Sequence, residues 1–364
     1  MPFPPSAVPL LLDWYHQNRR DLPWRHSRDP YPVLVSEIML QQTRAETVKP
    51  YFHRFLATLP TVEALANADE PTLLKLWEGL GYYSRVRNLQ KAARAVMEQY
   101  DGVIPADFDA LLKLPGVGRY TAGAVASIAY DIPVPAVDGN VLRVMARLMG
   151  DDTDILSPAA KKTAEAALAP HVPTSGAGDF TQSLIELGAL VCTPGEPRCG
   201  DCPLHLLCVA NREGKQTELP VRLAKTKRRV EERTVLVIRQ REGDGTAAPG
   251  KIALRKRPHE GLLGGLYEFP CLDGHATPEE VRAYLTERGL TVGEITPLPA
   301  AKHLFSHIEW RMIGYAVEVK PTPAAVEDWF FAAVDEVDEV YAIPSAYGAY
   351  RGAVGGKNTP ASPA

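Results

Sequence analysis

The stretch from Leu111 to Arg147 limits most tightly what this chain can fold into. It sets an apolar helix end, a glycine turn, a second apolar helix and an isolated carboxylate in one compact run. In Leu114-Pro115-Gly116-Val117-Gly118 the two glycines let the backbone take positive φ and approach another group closely, and the next helix opens with unpaired amides. Such amides, at the positive end of a helix dipole, suit a phosphate oxygen. A lone Gly-x-Gly is equally an ordinary interhelical turn. Farther on, Val137-Asp138-Gly139-Asn140 reads as the cap of a helix beginning near Val141, so Asp138 by itself is a capping residue.

With 364 residues, 45% of them apolar, the chain suits two folded domains, each able to bury its own core. No uninterrupted apolar window reaches the length of a membrane span, and Val8 to Leu12 is too short and wrongly flanked for a signal peptide, so a cytoplasmic protein is expected. The net charge of −4 argues against nucleic acid if only the total is considered. Local charge differs: Arg19, Arg20, Arg25, Arg28, Arg85, Arg87, Lys91, Arg94, Arg119, Arg143 and Arg147 spread cations along the first half. Lys225, Lys227, Arg228 and Arg229 form a short basic run, either a solvated linker or a phosphate contact.

A first helix is expected from Val8 to Asn18, followed by an irregular loop in which Trp24 and Arg25 set a flat aromatic beside a guanidinium. That pair could stack on and hydrogen-bond a base, though Trp24 fits a core equally. From Pro32 to Thr43 the apolar spacing is helical and encloses Glu37. A Glu there usually faces solvent; facing a closed pocket, it would be held protonated by desolvation, as a general acid requires. Gln42 and Thr43 offer neutral groups for a base edge. Helices continue to Tyr100, broken at Leu80-Gly81-Tyr82-Tyr83, where an aromatic after a glycine suits either a buried turn or a duplex wedge. A helical stretch from Ser157 to Leu190 ends with a second acid, Glu186, in apolar surroundings.

Cys192, Cys199, Cys202 and Cys208 then follow at short spacings, a set of soft ligands able to enclose a metal centre and an odd disulfide design for a cytosolic protein. Zinc is the alternative such cysteines leave open, although it favours paired CxxC units. Cys271 stands apart as an unmodified thiol. Charge without apolar periodicity marks a linker from Asn211 to Arg233, after which Thr234 to Ile238, Lys251 to Arg255 and Met312 to Val319 alternate as strands around a helix at Pro278 to Arg288. The second domain is therefore α+β. The tail beyond Arg351 is small and polar and is expected to be disordered.

Together, Pro23-Trp24-Arg25, the Ser36 to Thr43 segment, the hairpin, Val137 to Val141, the four cysteines and Phe305-Ser306-His307 resemble the adenine DNA glycosylases of the MutY family over almost the whole chain. The resemblance implies a multidomain protein. A mostly helical helix-hairpin-helix glycosylase domain would span residues 1–211, a linker 212–232, a smaller α+β Nudix-like domain 233–350 and a tail 351–364. It implies a [4Fe–4S] cluster on Cys192, Cys199, Cys202 and Cys208, and action as a monomer on double-stranded DNA carrying adenine opposite 8-oxoguanine or guanine, in base excision repair. Glu37, Asp138 and Tyr120 would be catalytic, with Trp24, Arg25, Leu40 and Glu186 holding the flipped adenine. Gln42, Thr43, Leu80, Tyr82, Phe305, Ser306 and His307 would meet the opposite base, and Gly116, Val117 and Gly118 the phosphate.

The Nudix-like entry at Gly261 to Pro270 leads to Arg282-Ala283-Tyr284-Leu285-Thr286-Glu287-Arg288-Gly289-Leu290, where Ala and Thr stand at two of the positions that carry metal-binding acids in working Nudix hydrolases. A lesion-reading domain is expected rather than a pyrophosphatase. The nearest alternative is an endonuclease III-like glycosylase/lyase. Such an enzyme would carry Lys at position 120 to form a Schiff base; Tyr120 cannot form that imine. A silent lesion-binding or iron–sulfur sensor and a nucleotide hydrolase are the remaining alternatives.

Overall fold

The structure, a computed structural model, describes residues 2–223, 227–240, 250–321, 326 and 328–355. It divides into two units, Met1–Ala68 with Ser84–Ala224, and Asp69–Tyr83 with Lys225–Ala364.

The first unit is helical throughout its described residues. Its helices start where short polar side chains can accept orphan amides: Asp29, Thr61, Asp107, Asp138 and Ser157 each cap one. Along Gly139–Met149, Val141, Val144, Met145 and Leu148 recur on one side and pack with Leu184, Leu187 and Leu11 into a single core. The Ala177–Leu190 helix approaches closely enough that a Cβ on Gly188 would stand 2.7 Å from the Asn140 Cβ, which fixes the start of the Asp138-capped helix. The expected helical stretch from Ser157 to Leu190 is two helices, Pro158–Leu168 and Ala177–Leu190, separated by the 3-10 turn Ala169–His171 and by Gly176 at φ 81°. No helix among the described residues is long and apolar enough to cross a membrane.

The second unit is built on a mixed sheet of β1 (Arg229–Gln240), β2 (Lys251–Lys256), β3 (Tyr267–Glu268), β4 (Cys271–Asp273), β5 (Val292–Leu304), β6 (Ile308–Val319) and β7 (Trp329–Ala333). The main order is β3-β2-β1-β6-β5, with β4 paired to β1 and β7 to β2. β1 and β6 run parallel, and the other pairs are antiparallel. Alternation splits the apolar run of β1 between two faces. Val235 and Val237 join the cluster of Trp310, Tyr347 and Tyr350, whereas Leu236 and Ile238 pack with Val281 and Leu285 of the Pro278–Glu287 helix.

Three boundaries differ from the sequence reading. Asp69–Tyr83, expected inside the helical domain, is grouped with the sheet. The expected linker already contains a helix at Val209–Glu213, and β1 pairs with β6 from Arg229 onward. Charged side chains hid that strand, because backbone ladder bonds are indifferent to them. Arg351 ends the Gly348–Arg351 helix, and Ala353 and Val354 are buried, so order extends past the expected start of the tail. Lys225 and residues 356–364 lie outside the described residues.

Candidate active site

A cleft of about 1190 Å³ opens in the helical unit, lined by Glu37, Tyr120 and Asp138 from three separate elements. Glu37 comes from the Pro30–Leu40 helix, which is buried around nearly its whole circumference, so its carboxyl has no solvent-facing side to use. Only 5% of it is exposed. Burial pushes its pKa up to about 7, the neighbouring charge of Asp138 adding to the rise while the Tyr120 hydrogen bond and the charge of Arg25 oppose it. The Tyr120 hydroxyl donates to Glu37 Oε2 at 2.6 Å. Burial and the adjoining charges of Glu37 and Asp138 hold the phenol well above its ordinary pKa, so it stays a donor.

Asp138 is the N-cap expected from the sequence and a cleft residue as well. Its Oδ1 accepts from the Val141 amide at 2.7 Å and its Oδ2 from Asn140 Nδ2 at 2.8 Å. Burial raises its pKa, and these bonds hold it back. Asn140 in turn accepts from Arg143, which also donates to the Gly188 carbonyl, so the capping carboxylate is braced from behind. Sequence reading passed over Asn140; its place two residues after the cap was the available signal.

At the hairpin, Gly116 takes φ 76°, and a Cβ there would stand 2.5 Å from the Asn88 Cβ, so only glycine fits. Gly118 caps the Arg119–Tyr130 helix with no side-chain hydrogen bond and open space where a Cβ would stand. Both glycines line the cleft, whereas Val117 is buried and anchors the turn. The opening amides of that helix therefore receive no side-chain acceptor at the cap and face an open surface, as an anion site requires.

Trp24, Arg25, Leu40 and Glu186 all line the same cleft, but two of them are already engaged. Glu186 is fully buried and accepts from Arg20 Nε at 2.9 Å, Arg20 Nη2 at 2.8 Å, the Arg20 amide at 2.8 Å and Arg25 Nη2 at 2.9 Å. Burial alone would raise its pKa; the Arg20 and Arg25 hydrogen bonds outweigh it and hold the carboxyl at about 2. Arg25 also donates to Gln182 Oε1 and the Arg20 carbonyl. Glu186 thus fixes Arg25 in the wall. Trp24 is 6% exposed and packs edge-to-face on Phe52, a core residue whose remaining surface meets the cleft.

Gln41, Gln42 and Thr43 turn out of the Pro30–Leu40 helix into the cleft wall, Gln42 at φ 58°. Arg85 holds this turn. Its guanidinium is buried and donates to the carbonyls of Ile38, Met39 and Gln41, a cation at a helix C-terminus where carbonyls lack partners. The sequence reading counted Arg85 among the cations along the first half that offset the net charge, whereas it donates to internal carbonyls, as do Arg143 and Arg147. Arg147 is 2% exposed and donates to the carbonyls of Leu219 and Thr193. Arg119 is paired with Glu165, and Arg94 with the Ala66 carbonyl.

The four cysteines follow the Ala177–Leu190 helix as free thiols, each half-buried. Cys202 is pushed up to about 12 by burial, with the charges of Cys192, Cys208 and Cys199 adding to the rise. Arg147 Nη1 approaches Cys192 Sγ at 3.4 Å. Among the described residues no three His, Cys, Asp or Glu side chains are gathered around a point that could hold a single metal ion.

In the second unit, β5 and β6 are joined by a turn closed by the Phe305 amide on the Ile308 carbonyl at 2.8 Å. Phe305 is packed between His303 and Trp310, while Ser306 and His307 are exposed. Tyr82 is 48% exposed, and its hydroxyl lies 3.1 Å from Ser306 Oγ. Leu80, expected beside it as a contact residue, is 6% exposed and belongs to the interior. Arg228 Nε donates to the Phe305 carbonyl and Arg229 pairs with Glu231, so two members of the expected basic run serve the fold.

Residues 35–170 match the HhH-GPD superfamily of base excision DNA repair proteins, and residues 234–350 match the NUDIX domain. The chain is 35% identical to the adenine DNA glycosylase of Arabidopsis thaliana across 88% of its own length, but spans only 58% of that relative. It is likewise 35% identical to the adenine DNA glycosylase of Mus musculus, covering 86% of this chain and 71% of that one. Among solved structures, a thermostable thymine-DNA glycosylase, 32% identical, matches 57% of this chain and 96% of its own with a TM-score of 0.52. Carrying a helical base-excision domain and a NUDIX domain in one chain, the protein belongs to the adenine DNA glycosylase family of DNA N-glycosylases.

Proposed function

We propose that this chain removes adenine paired with 8-oxoguanine, and with guanine, from double-stranded DNA by hydrolysis of the N-glycosidic bond. The observation that carries the reading is the placement of Glu37 and Asp138 on one cleft with unequal surroundings. Glu37, almost without polar partners and held near neutrality, is the acid; Asp138, bonded to an amide and an amide side chain, is the ion. Adenine flipped into the cleft would lie against Trp24 and Leu40. Glu37 would protonate a ring nitrogen of the base, the bond to the sugar would break with its electron pair leaving on adenine, Asp138 would offset the cationic deoxyribose, and water would add to that cation and lose a proton to leave an abasic site. Tyr120, a phenol with a raised pKa, keeps Glu37 in place by its hydrogen bond and offers no amine for an imine. A monofunctional enzyme is therefore proposed, rather than a glycosylase/lyase. The Gly116 to Gly118 turn would hold a phosphate, Gln42 and Thr43 would offer neutral groups to a base edge, and, in the second unit, Tyr82, Ser306 and His307 would read 8-oxoguanine.

Cys192, Cys199, Cys202 and Cys208 would hold a [4Fe–4S] cluster. Four thiols at short spacings in sequence, with the Arg147 guanidinium against Cys192 Sγ, supply the soft donors and the cation that suit an anionic cluster. When bound it would order the loop that continues from the Ala177–Leu190 helix. The test is incubation with an adenine:8-oxoguanine duplex followed by hot alkali. Strand breaks only after alkali are expected; breaks without alkali would favour a lyase, and none with alkali would contradict the proposal.

A further inference from the structure

The turn that presents Tyr82 is fastened by a residue to which no role has been given. Asp69–Tyr83 is interposed in sequence between two parts of the helical unit, yet it is grouped with the sheet unit. Its helix, Glu70–Leu76, ends in a turn that needs unusual backbone: Gly79 at φ 100°, Gly81 at φ 70° and Tyr82 at φ 47°. A non-glycine residue at positive φ costs free energy and persists only where its surroundings hold it. One restraint is internal, the buried Trp77 indole donating to the Gly81 carbonyl at 3.1 Å.

A second restraint is Glu78. Its Oε1 accepts from the Ile343 amide at 3.0 Å and from the Arg351 guanidinium, and its Oε2 accepts from Lys75 Nζ at 2.6 Å. Lys75 also donates to the Tyr341 carbonyl at 3.3 Å, and Arg351 to the Ile343 carbonyl at 2.9 Å and to Asp338 at 3.3 Å. The Glu78 side chain is 15% exposed, which strengthens these charge-assisted bonds relative to a surface pair. Of its partners, Ile343 lies near the C-terminal end of the NUDIX match and Arg351 just past it, and both belong to the same unit, as does Ser306.

We propose that Glu78 is a positioning residue for recognition of the base opposite adenine: clasped by the Ile343 amide and Arg351, it sets the 79–82 turn so that the Tyr82 hydroxyl meets Ser306 Oγ. The inference rests on the reading of Tyr82 and Ser306 given above. It further assigns the segment Tyr341 to Arg351 a part in specificity, through Lys75 and Glu78.

The test uses the full chain as wild type, Glu78→Gln, Arg351→Gln, Arg351→Lys and Ser306→Ala. Base release is measured in single turnovers on adenine:8-oxoguanine and adenine:guanine duplexes, and amide exchange is followed across residues 77–83. Glu78→Gln and Arg351→Gln are each expected to lower the 8-oxoguanine over guanine preference by about tenfold, the size of one lost charge-assisted bond, and to speed exchange at 79–83. Arg351→Lys, which keeps a cation beside Glu78, is expected to recover much of both relative to Arg351→Gln, which a merely destabilised fold would not do. A preference that falls in Ser306→Ala but not in Glu78→Gln or Arg351→Gln would overturn the inference while leaving the parent reading intact. A preference unmoved by Ser306→Ala would overturn the parent reading. The clasp would then stand or fall on whether exchange at 79–83 quickens in the Glu78 and Arg351 variants.

Discussion

Replacing Glu37 by Gln should stabilise this protein, and by an amount that depends on pH. The carboxyl is raised from 4.5 to about 7 by burial. The native state therefore holds its proton more tightly than the unfolded chain does. Below pH 4.5 both states are protonated and the residue is neutral in the balance. Between 4.5 and 7 the unfolded chain releases its proton while the native one keeps it, so wild-type stability falls as pH rises. Above 7 the whole difference is felt: the gap between 4.5 and about 7, at about 1.36 kcal/mol per pH unit, comes to about 3 kcal/mol. Gln keeps the shape and an acceptor for Tyr120 but carries no charge to desolvate. Urea unfolding of both proteins, followed by far-ultraviolet circular dichroism for the helical unit, should show the variant ahead by about 3 kcal/mol at pH 8 and about 1 kcal/mol at pH 5. An equal gain at both pH values, or no gain at pH 8, would refute the claim that burial holds this carboxyl near neutrality.

Two further outcomes follow from the same geometry. In Tyr120→Phe, loss of the hydrogen bond that lowers the Glu37 pKa should move the alkaline limb of the rate profile, expected near pH 7 in wild type, to higher pH; a limb shifted downward would contradict that role. Arg85→Met would strip the carbonyls of Ile38, Met39 and Gln41 of their donor, and should cost about 3 kcal/mol and slow base release through the displaced Gln41 to Thr43 turn; an unchanged unfolding midpoint would rule out this brace.

How much of this was legible in the sequence depended on how local each interaction is. The Asp138 cap, the hairpin glycines and the strands at 234–238 and 251–255 are written in neighbouring residues, and the structure has all of them. The burial of Glu37 was not readable from periodicity, because the Pro30–Leu40 helix is enclosed on nearly every side and leaves no polar face to compare. Glu186 was given to the base because its partners, Arg20 and Arg25, lie more than 160 residues away in sequence. Partners more than 40 residues away likewise hid the internal work of Arg85, Arg143 and Arg147, which as bare letters looked like DNA contacts. β5 went unseen because its alternation is broken by register shifts between Val292 and Ile295 and between Leu298 and Ala301. The allegiance of Asp69–Tyr83 to the sheet unit rests on partners near residues 341–351, which no local pattern could supply.

The most direct test of the central claim is single-turnover release of adenine from an adenine:8-oxoguanine duplex by wild type and Glu37→Gln, with duplex affinity measured alongside. The account predicts that the variant binds the mispair as wild type does and releases no adenine. Adenine released by Glu37→Gln at an appreciable fraction of the wild-type rate would contradict it.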